Sequence, residues 1–210
     1  MKKHCVLFIL LVAFAFGSIA QSSMSLPVMI KNEDGSVETY DIQKGDKLVY
    51  QVKAGGSEYE FIVTLNNPGS NALDFNYEMT NTNNTRGHVT ISNEAKSSAT
   101  KYVNFFRGGE MKLTDACTVW LSDKNFSDMA QGRTTMQLDN HAAETFYSPD
   151  ENEVSMPVKI KNQKKYIQGF FINNAADGKG TQTLYINNIS GNALILKMDL
   201  GWSIELKEIR

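Results

Sequence analysis

Cysteine is nearly missing from this chain. Its 210 residues hold two, Cys5 and Cys117. Cys5 lies in an N-terminal leader, so the mature chain keeps Cys117 alone and can close no internal disulfide. Small secreted domains often depend on such bridges; here a hydrophobic core must do that work. Histidine is as scarce, with three in all. His4 is in the leader, which leaves His88 and His141. Serine or cysteine catalysis needs a positioned base, and the chain offers few, with no Gly-x-Ser-x-Gly elbow. An excess of basic charge is absent too. Taking Lys2 and Lys3 from the 21 Lys and Arg leaves 19 against 23 acids, a mature net charge of −4 with histidine neutral. That balance excludes the basic footprint of a nucleic-acid binder and a polybasic lipid-binding segment. After Leu26 no apolar run approaches the length of a membrane-crossing helix, about 18 residues or more. Internal repeats and low-complexity tracts are absent.

What is present begins with an address. Lys2 and Lys3 precede an unbroken apolar run over residues 5–16, CVLFILLVAFAF. Ser18 and Ala20 then supply small residues where a signal peptidase reads. Residues 1–20 are therefore expected to be a secretory signal peptide. The mature protein would start near Gln21 and reside in the periplasm or outside the cell. Cys5 precedes the apolar run, where a lipoprotein cysteine would follow it, so no lipid anchor is expected there. Residues 21–210 are expected to form a single β-rich domain.

The mature chain reads mostly as strands. In residues 59–65, Tyr59, Phe61, Val63 and Leu65 face one way and Glu60, Ile62 and Thr64 the other; Leu73, Phe75, Tyr77 and Met79 repeat the pattern in 73–79. A period of two marks half-buried strands. Ala54-Gly55-Gly56-Ser57 makes residues 46–65 a hairpin, and 67–71 is a turn by composition. Residues 87–91, 118–121, 166–172, 181–186, 194–200 and 202–206 are further strands, with a positive-φ turn at Asp177-Gly178. Ala95, Ala99, Tyr102, Val103 and Phe106 recur at helical spacing, with Ser92 or Asn93 to cap the start and Gly108-Gly109 to end it. The expected fold is thus mainly β (α+β). It is a curved, partly closed antiparallel sheet covered by one main helix at about 94–106, with a short helical turn at about 123–131. Residues 139–157 are polar and poorly periodic, the best candidate for an internal boundary.

Candidate chemistry is thin. Asp123, Asn125 and Ser127 match the first ligand positions of a calcium loop, but Asp128 and Thr134 stand where Gly and Glu are needed; helix capping accounts for the same residues. Asp139, His141 and Glu144 lie close in sequence, yet one histidine and two acids are too few for a structural zinc site. Cys117 alternates with Val119 and Leu121, which reads as a buried thiol. His88 has no evident partner. Trp120 and Trp202 could stack on a ligand, but their strand context reads as core. Gly55-Gly56 and Gly178-x-Gly180 are hairpin glycines, not phosphate cradles. The triplets at 83–85, 125–127 and 188–190 match glycosylation sequons and read as incidental in an Asn-rich chain. No catalytic, metal or cofactor residue is assigned.

The segments Gly45-Asp46-Lys47-Leu48-Val49-Tyr50-Gln51-Val52, Tyr59-Glu60-Phe61, Thr118-Val119-Trp120-Leu121-Ser122 and Gly201-Trp202-Ser203-Ile204-Glu205-Leu206 carry a resemblance. With Gln21 after the cleavage site, the chain resembles an uncharacterised secreted or periplasmic family of Bacteroidetes-type bacteria. In architecture it is also loosely similar to periplasmic half-barrel proteins, in which a curved sheet wraps a helix. Some relatives of that shape carry lipids or lipoproteins, and that likeness is one of architecture alone. The expected role is a non-catalytic envelope protein that binds or supports an assembly. Its expected partner is an apolar small molecule or another envelope protein. The alternative is a secreted hydrolase with a site assembled from distant residues.

Overall fold

The computed structural model describes residues 25–68, 72–81 and 83–210. The expected signal peptide, residues 1–20, and its expected cleavage site lie outside the described residues. Among these, sixteen strands and two short helices make the protein mainly β. β1 (Leu26–Lys31) and β2 (Val37–Ile42) form a first hairpin. β3 (Lys47–Ala54), β4 (Ser57–Asn67), β5 (Ala72–Met79) and β6 (Arg86–Ser92) follow as an antiparallel meander. Next come α1 (Asn93–Ser98), β7 (Lys101–Tyr102), β8 (Gly109–Leu113), β9 (Ala116–Cys117) and α2 (Asp123–Met129). β10 (Arg133–Leu138) and β11 (Ala143–Tyr147) make a hairpin. β12 (Glu153–Ile160), β13 (Gln163–Asn173), β14 (Thr183–Asn187), β15 (Ile195–Asp199) and β16 (Ser203–Ile209) complete the chain.

The meander has the register that its alternation predicts. Phe61 pairs with Met79, Val63 with Tyr77 and Leu65 with Phe75, so both apolar sets share one face. The two-residue turn Gly55-Gly56 has φ of 57° and 78°. That left-handed pair matches the twist of the flanking strands and is open to glycine at little cost. On the core face Leu48, Val63, Phe75 and Val89 are fully buried. Each such side chain contributes about 1.5–3 kcal/mol of transfer free energy.

Closure is complete in one part of the molecule. β12 pairs with β13 on one side and in parallel with β16 on the other. With β14 and β15 between β13 and β16, five strands form a closed circuit. β3 joins that circuit through β16 and carries the meander outward, with β8 at its far end. A second return runs through β11, β10, β7 and β9 to Trp120, which bridges Leu194 at the start of β15. Within the five-strand circuit, closure removes edges that would otherwise pair with other chains.

The expected main helix at 94–106 is not there. α1 ends at Ser98, and Lys101–Tyr102 is a strand paired in parallel with both β10 and β9. The helical spacing was a coincidence of inward-facing positions. Ala95, Ala99, Tyr102 and Val103 are all buried, but an extended chain buries the last two. The buried Tyr102 hydroxyl needs a partner, and this backbone path lets it accept a bond from the Val119 N–H at 2.9 Å. Gly108 and Gly109 have positive φ, but they lead into β8 and end no helix. Residues 118–121 are not a regular strand either. Val119 sits at φ 62°, rare for a β-branched residue, and only Trp120 makes a ladder bridge. The short helical turn is present as α2, capped by Ser122, whose hydroxyl accepts from the Asn125 N–H. The polar stretch 139–157 holds β11 and the first part of β12, and both strands pair with β13.

Candidate functional site: an aromatic-lipped slot

Between the core face of the sheet and the segment after β7 lies a narrow apolar slot. Val52, Phe61, Tyr102, Thr118 and Met198 are its buried floor. Tyr59, Met79, Asn104, Phe106, Trp202 and Ile204 are half-buried and form its lip. None of these residues is charged. The slot follows from the sheet's pattern: Phe61 and Met79 pair across β4 and β5, and Ile204 pairs with Val52 across β16 and β3. Its volume is about 50 Å³. One water needs about 10–15 Å³ of such space, so the slot has room for a few waters and falls well below the roughly 300–1,000 Å³ of a small-molecule pocket.

The lid of the slot is residues 103–108, held by three anchors. The Val103 N–H donates to the Cys117 carbonyl at 2.9 Å. The Asn104 N–H donates to Asp139 Oδ1 at 2.6 Å. The Gly108 N–H donates to the Tyr77 hydroxyl oxygen at 2.9 Å. Phe106 turns inward, its ring 4.5 Å from Phe61 and 4.8 Å from Tyr77. Phe105 turns outward, 39% exposed, with the Arg107 guanidinium 4.9 Å over its ring. Aromatic pairs at such offsets add about 0.5–1.5 kcal/mol beyond burial.

The residues singled out in the sequence are dispersed. Asp139 is the clamp on Asn104, at φ 51°. The backbone N–H of His141 closes a turn onto Leu138, and Glu144 lies in β11 opposite Met136. Among the described residues, no three of His, Cys, Asp and Glu gather as metal ligands. Asn125 is buried and takes a bond from Thr134, while Lys124 pairs with Asp128 on the surface of α2. The Gly180 N–H is directed to Asn173 Oδ1 at 2.7 Å, so a side-chain oxygen already fills that loop. Trp120 is core: its indole N–H donates to Asn192 Oδ1 at 2.8 Å. Trp202, its strand-pattern counterpart, sits instead at the slot's lip.

Sequence reasoning missed the partner of His88. Its Nε2 lies 2.9 Å from Asp74 Oδ2, on the outer face of β5 and β6. The Thr90 hydroxyl donates to the same oxygen at 3.1 Å, and Asn66 donates to Oδ1 at 2.9 Å. Burial pushes the Asp74 carboxyl up, but the bonds from His88 and Asn66, the His88 charge and Thr90 together outweigh it and hold it below its ordinary value. Thr90 bonds the acid, not the histidine, so no hydroxyl is set against a base. The cluster satisfies a carboxylate; it does not arm a nucleophile.

Comparison with protein-family models, curated proteins and solved structures finds no match.

Proposed function

We propose that this chain is an exported, non-catalytic envelope protein that works by binding, with the aromatic-lipped slot as its contact point. The observation that carries the reading is the lip. Tyr59, Met79, Phe106, Trp202 and Ile204 hold partly exposed apolar surface around an uncharged recess. Export rests on the Lys2-Lys3 start, the apolar run and the Ser18 and Ala20 positions. The likeness to Bacteroidetes-type secreted proteins rests on its quoted motifs alone. The recess is too small to enclose a lipid or a drug-sized ligand, so the occupant is a slender apolar group. A hydrophobic side chain of another envelope protein, or the end of an alkyl chain, fits that description. Each methylene placed there contributes about 0.8 kcal/mol.

The test is a titration of the mature chain with decyl maltoside below its micelle concentration, followed by tryptophan fluorescence. The unmodified protein should give a saturable change. Ile204→Lys puts a charge at the half-exposed lip and should weaken binding about tenfold, near 1.4 kcal/mol, while the circular dichroism spectrum stays unchanged. No saturable change, or equal binding by both proteins, would rule the slot out.

A further inference from the structure

β8 ends the pairing path. One edge is joined in parallel to β6, and the other pairs with nothing among the described residues. An open edge presents unpaired N–H and C=O groups, a template for another strand. Along β8, Met111 and Leu113 continue the core face beside Val89 and Ile91. Glu110 and Lys112 stand on the outer face and are exposed. Neither makes an ion pair among the described residues. The strand starts from a fixed point, because Tyr77 passes close under Gly87 to take the Gly108 N–H.

We propose that β8 pairs antiparallel with β8 of a second copy of this chain, about a two-fold axis through Met111, so that two sheets become one. In that register Glu110 faces Lys112 of the second copy, twice by symmetry. Met111 faces Met111, and Gly109 leaves room opposite Leu113. The register is selected by charge. A slip of two residues one way sets Glu110 against Glu110; the other way sets Lys112 against Lys112. Opposite charges directly across a strand pair favour pairing, and like charges oppose it. A slip of one residue sets core-facing side chains against outer ones and mismatches the free backbone groups. Among the described residues β9 also ends the path, but it is only two uncharged residues long. β2, paired to β1 alone, lacks this complementarity. It carries Glu38 and Asp41 with no basic residue, and Lys165 already pairs with Glu38. A contact five residues long is small, so the association is weak and concentration-dependent.

Sedimentation equilibrium on the mature chain tests it. The unmodified protein should dimerise reversibly as its concentration rises to about 1 mM, and less so in high salt. K112E leaves two acids on the edge and E110K leaves two bases. Each alone should self-associate about tenfold more weakly, with unchanged circular dichroism. An equal mixture of the two should form heterodimers at least as tightly as the unmodified protein forms homodimers. A protein monomeric throughout, variants that dimerise like the original, or a mixture that stays monomeric would each overturn the proposal.

Discussion

Cys117 shows how a single residue takes its chemistry from its surroundings. It is buried, and its Sγ–H points to the Ala95 carbonyl at 3.2 Å. Burial pushes its thiol up to about 12, with Asp123 adding to the shift and Lys96 opposing it. A thiol near 8.5 in the unfolded chain then contributes stability that is complete below that pH. It is lost as pH rises toward the folded value, because the unfolded state sheds its proton first. Tyr50 and Tyr102, buried with raised phenols, act in the same direction at higher pH. Thiol labelling of native protein should therefore be slow and accelerate on denaturation. The melting temperature should fall between about pH 9 and 12, and Cys117→Ala should lessen the slope. Rapid native labelling, or a slope untouched by the substitution, would contradict this. Next to it, Val119 holds a strained φ costing about 1–3 kcal/mol. It is pinned by the Tyr102 hydroxyl on its N–H and by the Ile195 N–H on its carbonyl.

At the scale of elements, the lid over residues 103–108 depends on one distant carboxylate. Asp139→Ala removes the acceptor for the Asn104 N–H, a bond worth roughly 1.5–3 kcal/mol because the acceptor is charged. Hydrogen exchange at Asn104 should quicken at least tenfold while β3 and β4 keep their protection; equal protection across the lid would refute the clamp. Neither the clamp nor the Asp74–His88 pair could be read from the sequence. Their partners lie 35 and 14 residues apart and meet only through sheet register. The meander and the last four strands were legible: β4 and β5 alternate cleanly, β16 alternates as far as Leu206, and β3 and β13 to β15 carry apolar runs bounded by turn residues. β2 was not, since it is exposed along most of its length and shows no alternation; Val37 is 58% exposed. β1 does carry an alternating signal, with Leu26, Val28 and Ile30 all facing the core, but it is only six residues long. The helix expected at 94–106 failed because an extended chain can satisfy the same inward positions. Thr100, Tyr102 and Val103 are β-branched or aromatic and favour that extended path.

At the scale of the whole molecule, the closed circuit of β12–β16 and the bridge from Trp120 to Leu194 leave little room inside. Most of the apolar face becomes core, and the slot is what the short lid leaves uncovered. The proposed export would place this surface among other envelope components, and mass spectrometry of the protein should then find its N-terminus at or near Gln21. An uncleaved Met1 on the cytoplasmic protein would contradict that. In the proposed function the slot's lip is the binding surface, and the two tryptophans report on it separately. Trp120 is locked in the core by Asn192, whereas Trp202 stands at the lip. In a nitrogen–proton correlation spectrum of the mature chain, decyl maltoside should move the indole signal of Trp202 along a saturable curve and leave that of Trp120 in place. Signals that both stay still, or a shift at Trp120 alone, would contradict the account.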